Sequence, residues 1–325
     1  MTNKVKIGVL GCANIAKRSV IPAILELPHL FELIYVASRD IEKSKSFAEE
    51  FGCKYLGSYE ELISSPDIQA LYVPLPTGIH YEWILKALDA GKHVYAEKSF
   101  ASNYKEACEM VELAKTKNLA IMEGFMFQYH RQHQKVFELL RNNKIGEIRH
   151  FSATFCFPPL EKGNFRYDEV IGGGALLDAA GYTVRACHFI MGNSFELKAS
   201  SLYIDKSLGT NIYGSAYLVN PETKIGATLA FGFDNFYQSR YEIIGQKGKI
   251  TAERAFTPRK DFSPKLILEN EGTIEEIFIE PDNHFVNAFK EFYAEIFSDT
   301  KKELHYHDIL LQSKTLEQIK TKENQ

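Results

Sequence analysis

A chain of 325 residues that is 45% apolar and 25% charged is ordinary globular material with room for two domains. A formal net charge of −4, with no long basic run, leaves no electrostatic footprint for nucleic acid. Five scattered cysteines without CxxC spacing argue against a disulfide framework or a zinc site. No apolar run approaches the roughly 18 residues of a membrane span. The opening "MTNKVKIGVLG" enters a strand-like run with no signal-peptide pattern, so the expectation is a cytoplasmic protein.

The first part of the chain alternates short apolar runs with helical patterns. Strands are expected over 6–10, 31–38, 68–76, 93–98 and 119–125. Helices are expected over 14–27, with Pro22 as a kink or early break, and over 40–52, 58–64, 80–92 and 103–118. This rhythm predicts a doubly wound parallel sheet of Rossmann type over 1–124. From 125 to 325 longer alternating runs appear at 147–157, 224–233, 239–253 and 264–280, with "QKG" and "NEG" as turn signals. Helices are expected at 175–191, 284–298 and 307–320. The second domain therefore reads as α+β on a largely antiparallel open sheet, with the last helix able to return to the first domain.

Between the first strand and first helix lies Gly11-Cys12-Ala13-Asn14-Ile15-Ala16. This is the G-x-G-x-x-G position with alanine in the second and third slots. Its placement before helical N–H groups suits a dinucleotide pyrophosphate. The second strand ends "VASRD", with Ser38 and Arg39 where an NAD-preferring site carries an acid. A hydroxyl, a guanidinium and Lys43 one turn later favour a 2′-phosphate, hence NADP(H) over NAD(H), with NAD(H) still open. Asp40 is either the ribose acid, if the register moves by two, or the N-cap of the next helix.

In "IGGGALLDAAGYTVRACHFIMG" (171–192), Asp178 and Tyr182 stand four apart, and Arg185 continues the stripe. Polar groups on so apolar a helix are either a solvated face or a site. The pair Glu97-Lys98 in "HVYAEKSF" sits where a parallel strand ends. His130 and His133, three apart after the sixth strand, either line a cleft between the domains or are plain surface residues. Arg166 and Tyr167, together with Lys162 or Arg185, could reach a substrate diphosphate. "HYHD" (305–308) reads as a helix start rather than a metal cluster, and no metal is expected.

The stretches "GVLGCANIA", "VASRD", "VPLPTGIHYEW", "GKHVYAEKS" and "GGGALLDAAGY" occur in the order and spacing of the Gfo/Idh/MocA oxidoreductases. The chain resembles that family along essentially its whole length. Its pattern is most similar to the NDP-sugar 3-ketoreductases, with dihydrodiol dehydrogenases sharing much of it. The resemblance implies NADP(H)-dependent hydride transfer between nicotinamide and a sugar or nucleotide-linked ketosugar. A dihydrodiol or free-sugar dehydrogenase is a second reading, and a non-catalytic NADP-binding regulator a third.

The resemblance also assigns Lys98, Asp178 and Tyr182 to catalysis. It adds Leu75, Pro76, Thr77, His80, Glu97 and Lys98 itself to the cofactor residues Gly11, Ala13, Asn14, Ile15, Ser38, Arg39 and Lys43. Tyr182 is the expected proton donor, with Lys98 assisting, although the reverse assignment is open. It further implies a homo-oligomer, a dimer or tetramer. The departure from the family is Ser99 in place of proline, and a Lys-Ser bond is expected to be trans because cis would cost roughly 2.5–4 kcal/mol.

Overall fold

The computed structural model describes residues 4–161 and 163–322. The chain divides into two compact units. One runs to Gly124 and regains Phe285–Ser313, and the other is Phe125–His284 with the chain from Lys314.

In the first unit, six strands form a parallel sheet: β1 (Val5–Leu10), β2 (Phe31–Ala37), β3 (Lys54–Leu56), β4 (Ala70–Val73), β5 (His93–Ala96) and β6 (Ile121–Glu123). Their order is β3-β2-β1-β4-β5-β6. Its helices are α1 (Ile21–Leu25), α2 (Ile41–Phe51), α3 (Tyr59–Ser64), α4 (His80–Asp89) and α5 (Tyr104–Thr116). A π-helical turn, Ala16–Val20, leads into α1. Pro22 has no N–H to continue a regular ladder, and the widened turn just ahead of it absorbs that gap. Asp40 is an N-cap: its carboxylate accepts the N–H groups of Glu42 and Lys43, and Gly52 closes the helix at φ 67°.

Burial on both faces explains the continuous apolar strands. Leu71, Val73, Val94 and Ala96 pack with α3, α4 and α5. The alternate residues Tyr72 and Tyr95 meet Phe289 of α8 (His284–Ile296), which also lies against Phe31. Thus α8 belongs to the first sheet despite following the second in sequence.

The second unit carries an eight-stranded sheet: β7 (Ile148–Cys156), β8 (Glu196–Asp205), β9 (Thr210–Val219), β10 (Gly226–Gly232), β11 (Gln238–Gly245), β12 (Gly248–Glu253), β13 (Lys265–Asn270) and β14 (Thr273–Phe278). The order is β14-β13-β12-β11-β7-β10-β9-β8, antiparallel except for β10 beside β7. The "QKG" and "NEG" turns join β11 to β12 and β13 to β14, with Glu271 and Gly272 both at positive φ. α6 (Arg131–Arg141) and α7 (Gly181–Met191) belong to this unit, and α7 packs on β7 and β10.

Four elements were not anticipated from sequence: β3, α6, β8 and β9. The two long strands carry many polar and exposed residues, which blur their alternation. The "HYHD" stretch is not a helix start, because α9 runs from Asp299 to Lys322. His305 Nδ1 lies 2.7 Å from the fully buried carboxylate of Glu295, so tertiary pairing explains this histidine.

Candidate active site

In the first unit, the expected cofactor residues follow the carboxyl ends of neighbouring parallel strands, flanking the β1/β4 switch in strand order. After β1, Gly11 sits at φ 125° and donates its N–H to Ala37 O at 2.9 Å. A Cβ there would stand 2.9 Å from Leu75 Cδ2, a side-chain end that can shift, so it is the positive φ that calls for glycine. Ala13 O accepts from Lys17 N as Asn14 and Ile15 enter the helix.

After β2, Ser38 is buried and its hydroxyl accepts the Asp40 N–H at 3.2 Å. Arg39 and Lys43 are exposed, a cationic pair at the strand end. Burial pushes the Cys12 thiol up to about 11, with the Lys43 charge acting against it. Burial likewise raises the Tyr59 hydroxyl, opposed by the Arg39 cation.

After β4, the Leu75–Pro76–Thr77 turn is fastened by His80. This ring is fully buried, with Nε2 2.7 Å from Leu75 O, and Nδ1 3.0 and 3.2 Å from Ser99 O and Phe100 O. Burial lowers its pKa, with the carbonyl hydrogen bonds opposing. After β5, Glu97 accepts from the Tyr72 hydroxyl at 2.7 Å, and Lys98 is half-buried beside it. Burial and then the Glu97 charge push Tyr72 well above the usual phenol range.

The Lys98–Ser99 peptide is cis, which corrects the trans geometry expected from the dipeptide alone. The surrounding contacts specify this turn. The Ser99 and Phe100 carbonyls meet the His80 ring, and Phe100 N–H donates to Glu123 Oε1 at 2.8 Å.

In the second unit, Asp178 lies on a π-helical turn, Leu176–Ala180, that runs into α7, and Tyr182 lies on the first turn of α7. A π-turn inside a helix is frequent at functional sites. The Leu176 N–H donates to Asn211 Oδ1 of β9 at 2.7 Å, which caps this helix start. Tyr182 is 5% exposed; its ring packs on Phe125, Phe127, Phe155 and Phe256, and its hydroxyl lies 4.0 Å from Met126 Sδ. An aromatic cage fixes the ring and leaves the phenol as its polar end.

Asp178 Oδ2 is 2.8 Å from Arg166 Nε. Arg185, buried, donates to Gln128 Oε1 at 2.8 Å, and the Tyr167 hydroxyl accepts the Leu160 N–H at 2.8 Å. His130 is fully buried and caps α6 through Nδ1 to Gln132 N. Lys162 lies outside the described residues. Tyr72, Glu123, Asn211, Phe155 and Phe256 support the site residues from other elements, and nothing near them in sequence signals those roles. Among the described residues, no group of three or more His, Cys, Asp or Glu side chains could hold a metal ion, and no helix is long and apolar enough to cross a membrane.

A parallel sheet with a glycine turn after β1, followed by an antiparallel unit, defines a Rossmann-domain oxidoreductase. The family model described as "Oxidoreductase family, NAD-binding Rossmann fold" matches residues 5–125, and the "GFO/IDH/MocA C-terminal domain" matches 133–251. The chain belongs to the Gfo/Idh/MocA oxidoreductase family.

It is 40% identical to a dTDP-3,4-didehydro-2,6-dideoxy-alpha-D-glucose 3-reductase of Saccharopolyspora spinosa, over 92% of this chain and 90% of that one. Similarity to a trans-1,2-dihydrobenzene-1,2-diol dehydrogenase of Xenopus tropicalis is 32% over 55% of this chain and 54% of that one. Among solved structures, KijD10, a 3-ketoreductase from Actinomadura kijaniata in complex with NADP and TDP-benzene, is 34% identical. It superimposes with a TM-score of 0.94 over 98% of each chain. Structures of KijD10 also exist with one lysine replaced by alanine and with one tyrosine replaced by phenylalanine.

Proposed function

We propose that this protein is an NADP(H)-dependent 3-ketoreductase acting on a dTDP-linked ketosugar. The observation that carries the reading is the retained pair of Lys98 and Tyr182. They are separated by as many residues as the lysine and tyrosine altered in KijD10, a likeness that extends over nearly the whole chain. The donor set fits the dinucleotide: a glycine turn and helix start for the pyrophosphate, with Ser38, Arg39 and Lys43 for a 2′-phosphate. When bound, the nicotinamide supplies the hydride. Tyr182 gives its phenolic proton to the oxygen of the reduced carbonyl. The Lys98 ammonium stabilises negative charge there, and Asp178 orients the substrate. Leu75, Pro76, Thr77, His80 and Glu97 shape the cofactor side of the site.

The test is NADPH consumption with dTDP-3,4-didehydro-2,6-dideoxy-α-D-glucose. Turnover supports the reading. NADPH formation from NADP⁺ with dihydrodiols or free sugars, and no consumption with the ketosugar, transfers it to the dehydrogenase alternative. NADPH binding with no turnover on either makes the protein a regulator.

The enzyme is assigned to the reducing cytoplasm, which five free cysteines suit. It is assigned as a homo-oligomer, a dimer or tetramer, through the open sheet face, where Tyr203, Tyr213, Tyr217 and Ile244 are exposed and Tyr203 stacks on Tyr213 at 4.7 Å. Light scattering of Tyr217→Glu should give a smaller assembly than the wild-type oligomer. A wild-type monomer sinks the assignment.

A further inference from the structure

The segment entering the Asp178 turn is attached to it at three points. Gly174 N–H donates to Arg166 O at 2.7 Å, and Gly173 N–H donates to Asp168 O at 2.8 Å. A Cβ on Gly173 would stand 2.5 Å from Asp168 O and 2.6 Å from Arg166 O, so the two backbones touch at a distance only glycine permits. The third attachment is the Arg166 Nε to Asp178 Oδ2 ion pair at 2.8 Å, whose side chains are 32% and 15% exposed. The guanidinium also lies over the Phe165 ring, 4.7 Å from its centroid. Arg166 is thereby fixed through its carbonyl and through its side chain to the same helix start, with the Phe165 ring against its guanidinium.

A guanidinium held this way is a strut. A group waiting for a phosphate in solvent needs none of these attachments. We infer that Arg166 is a positioning residue that holds the Asp178 carboxylate for substrate, and that it does not bind the substrate diphosphate. The inference rests on the ketoreductase reading for the role of Asp178, and it departs from the sequence expectation that placed Arg166 on a diphosphate.

The fork geometry matters as much as the charge. A lysine at 166 would reach the carboxylate as a point donor and would lack the guanidinium that lies over Phe165, so it should restore only part of the function. Losing the strut removes one of the contacts that set the Asp178 carboxylate, and a misplacement of about 1 Å can cost on the order of 100-fold in rate.

The experiment compares wild type, Arg166→Gln, Arg166→Lys, Asp178→Asn and the Arg166→Gln/Asp178→Asn double variant. Turnover is measured with NADPH and dTDP-3,4-didehydro-2,6-dideoxy-α-D-glucose, and TDP-benzene affinity is measured separately by calorimetry. The inference expects kcat to fall roughly 100-fold in Arg166→Gln, with partial recovery in Arg166→Lys. TDP-benzene affinity should stay within about threefold of wild type, and the double variant should be no slower than Asp178→Asn alone, because residues acting through one another are not additive. Two results overturn it: a tenfold or greater loss of TDP-benzene affinity with kcat retained, which makes Arg166 a diphosphate contact, or fully additive losses in the double variant. Wild type that binds TDP-benzene but never consumes NADPH removes the ketoreductase reading instead. Should Arg166→Gln fail to fold, Arg166→Lys carries the same comparison.

Discussion

Three histidines of the second unit, His130, His133 and His284, are buried together, at 0%, 1% and 3% exposure. His133 stacks on Tyr241 with Nδ1 2.8 Å from its hydroxyl, and its ring edge meets Phe127 and Phe189. His130 and His284 pack edge to face at 5.9 Å. Burial lowers the three pKa values from 6.5 to about 4, 3 and 3; the Asp282 charge opposes this at His130 and His284, and Arg131 adds to it at His130.

These rings are neutral in the fold, whereas the unfolded chain takes up protons below pH 6.5. Their stabilising contribution is therefore whole above pH 6.5 and is lost progressively as pH falls towards the folded values. Integrating between pH 7 and pH 5 gives a loss of roughly 2 kcal/mol per ring, on the order of 5 kcal/mol for the three, comparable with the stability of many whole domains.

The assay is urea unfolding followed by far-UV circular dichroism at both pH values, for wild type and His133→Gln. Fluorescence of Trp83, the only tryptophan, reports on α4 of the first unit and is not the probe here. The variant should be weaker at pH 7 by about 1–3 kcal/mol through lost packing. Its further loss on acidification should be smaller than the wild type's by about 2 kcal/mol. If the variant loses as much stability between pH 7 and pH 5 as wild type does, the reasoning is refuted.

Tyr182→Phe and Lys98→Met should each lower kcat at least about 100-fold while leaving NADPH affinity near wild type, since general acid catalysis and charge stabilisation are typically worth that much. Near-normal turnover in both would end the catalytic assignment. Arg39→Ala should weaken NADPH binding by roughly tenfold or more and leave NADH binding unchanged, a charge-assisted hydrogen bond being worth about 1.5–3 kcal/mol; equal effects on both cofactors would remove Arg39 from the 2′-phosphate. Glu295 accepts the Ile121 N–H at 3.0 Å and pairs with His305, while burial raises its own pKa to about 7. Breaking that buried pair with Glu295→Ala should destabilise the first unit by on the order of 3 kcal/mol. Trp83 fluorescence during urea unfolding measures this, and an unchanged midpoint would deny the pair a structural role.

Much of the first unit could be read directly from the chain, because its signals are local. A strand buried on both faces is continuously apolar, helix starts carry Asp40, Ser58 or Asn103, and Gly11 and Gly52 stand at turns with positive φ. The same locality exposed Arg39, Lys98, Asp178 and Tyr182, each an unusual residue type at the end of a strand or on an apolar helix. The long strands β8 and β9 were not legible, since one face of that sheet is exposed and its polar residues dilute the pattern.

Partners distant in sequence were decided by tertiary structure alone. Arg166 meets Asp178, Glu295 meets His305 and the Ile121 N–H, and α8 covers the sheet through Phe289 after the chain has built another unit. The Lys98–Ser99 bond shows the division clearly. The dipeptide energetics pointed to trans, but His80 and Glu123 hold the backbone around it in place, and neither is visible from residues 98 and 99. A single helix propensity is worth about 1 kcal/mol or less, whereas breaking a buried pair such as Glu295–His305 costs on the order of 3–5 kcal/mol, so tertiary contacts outweigh local preference there.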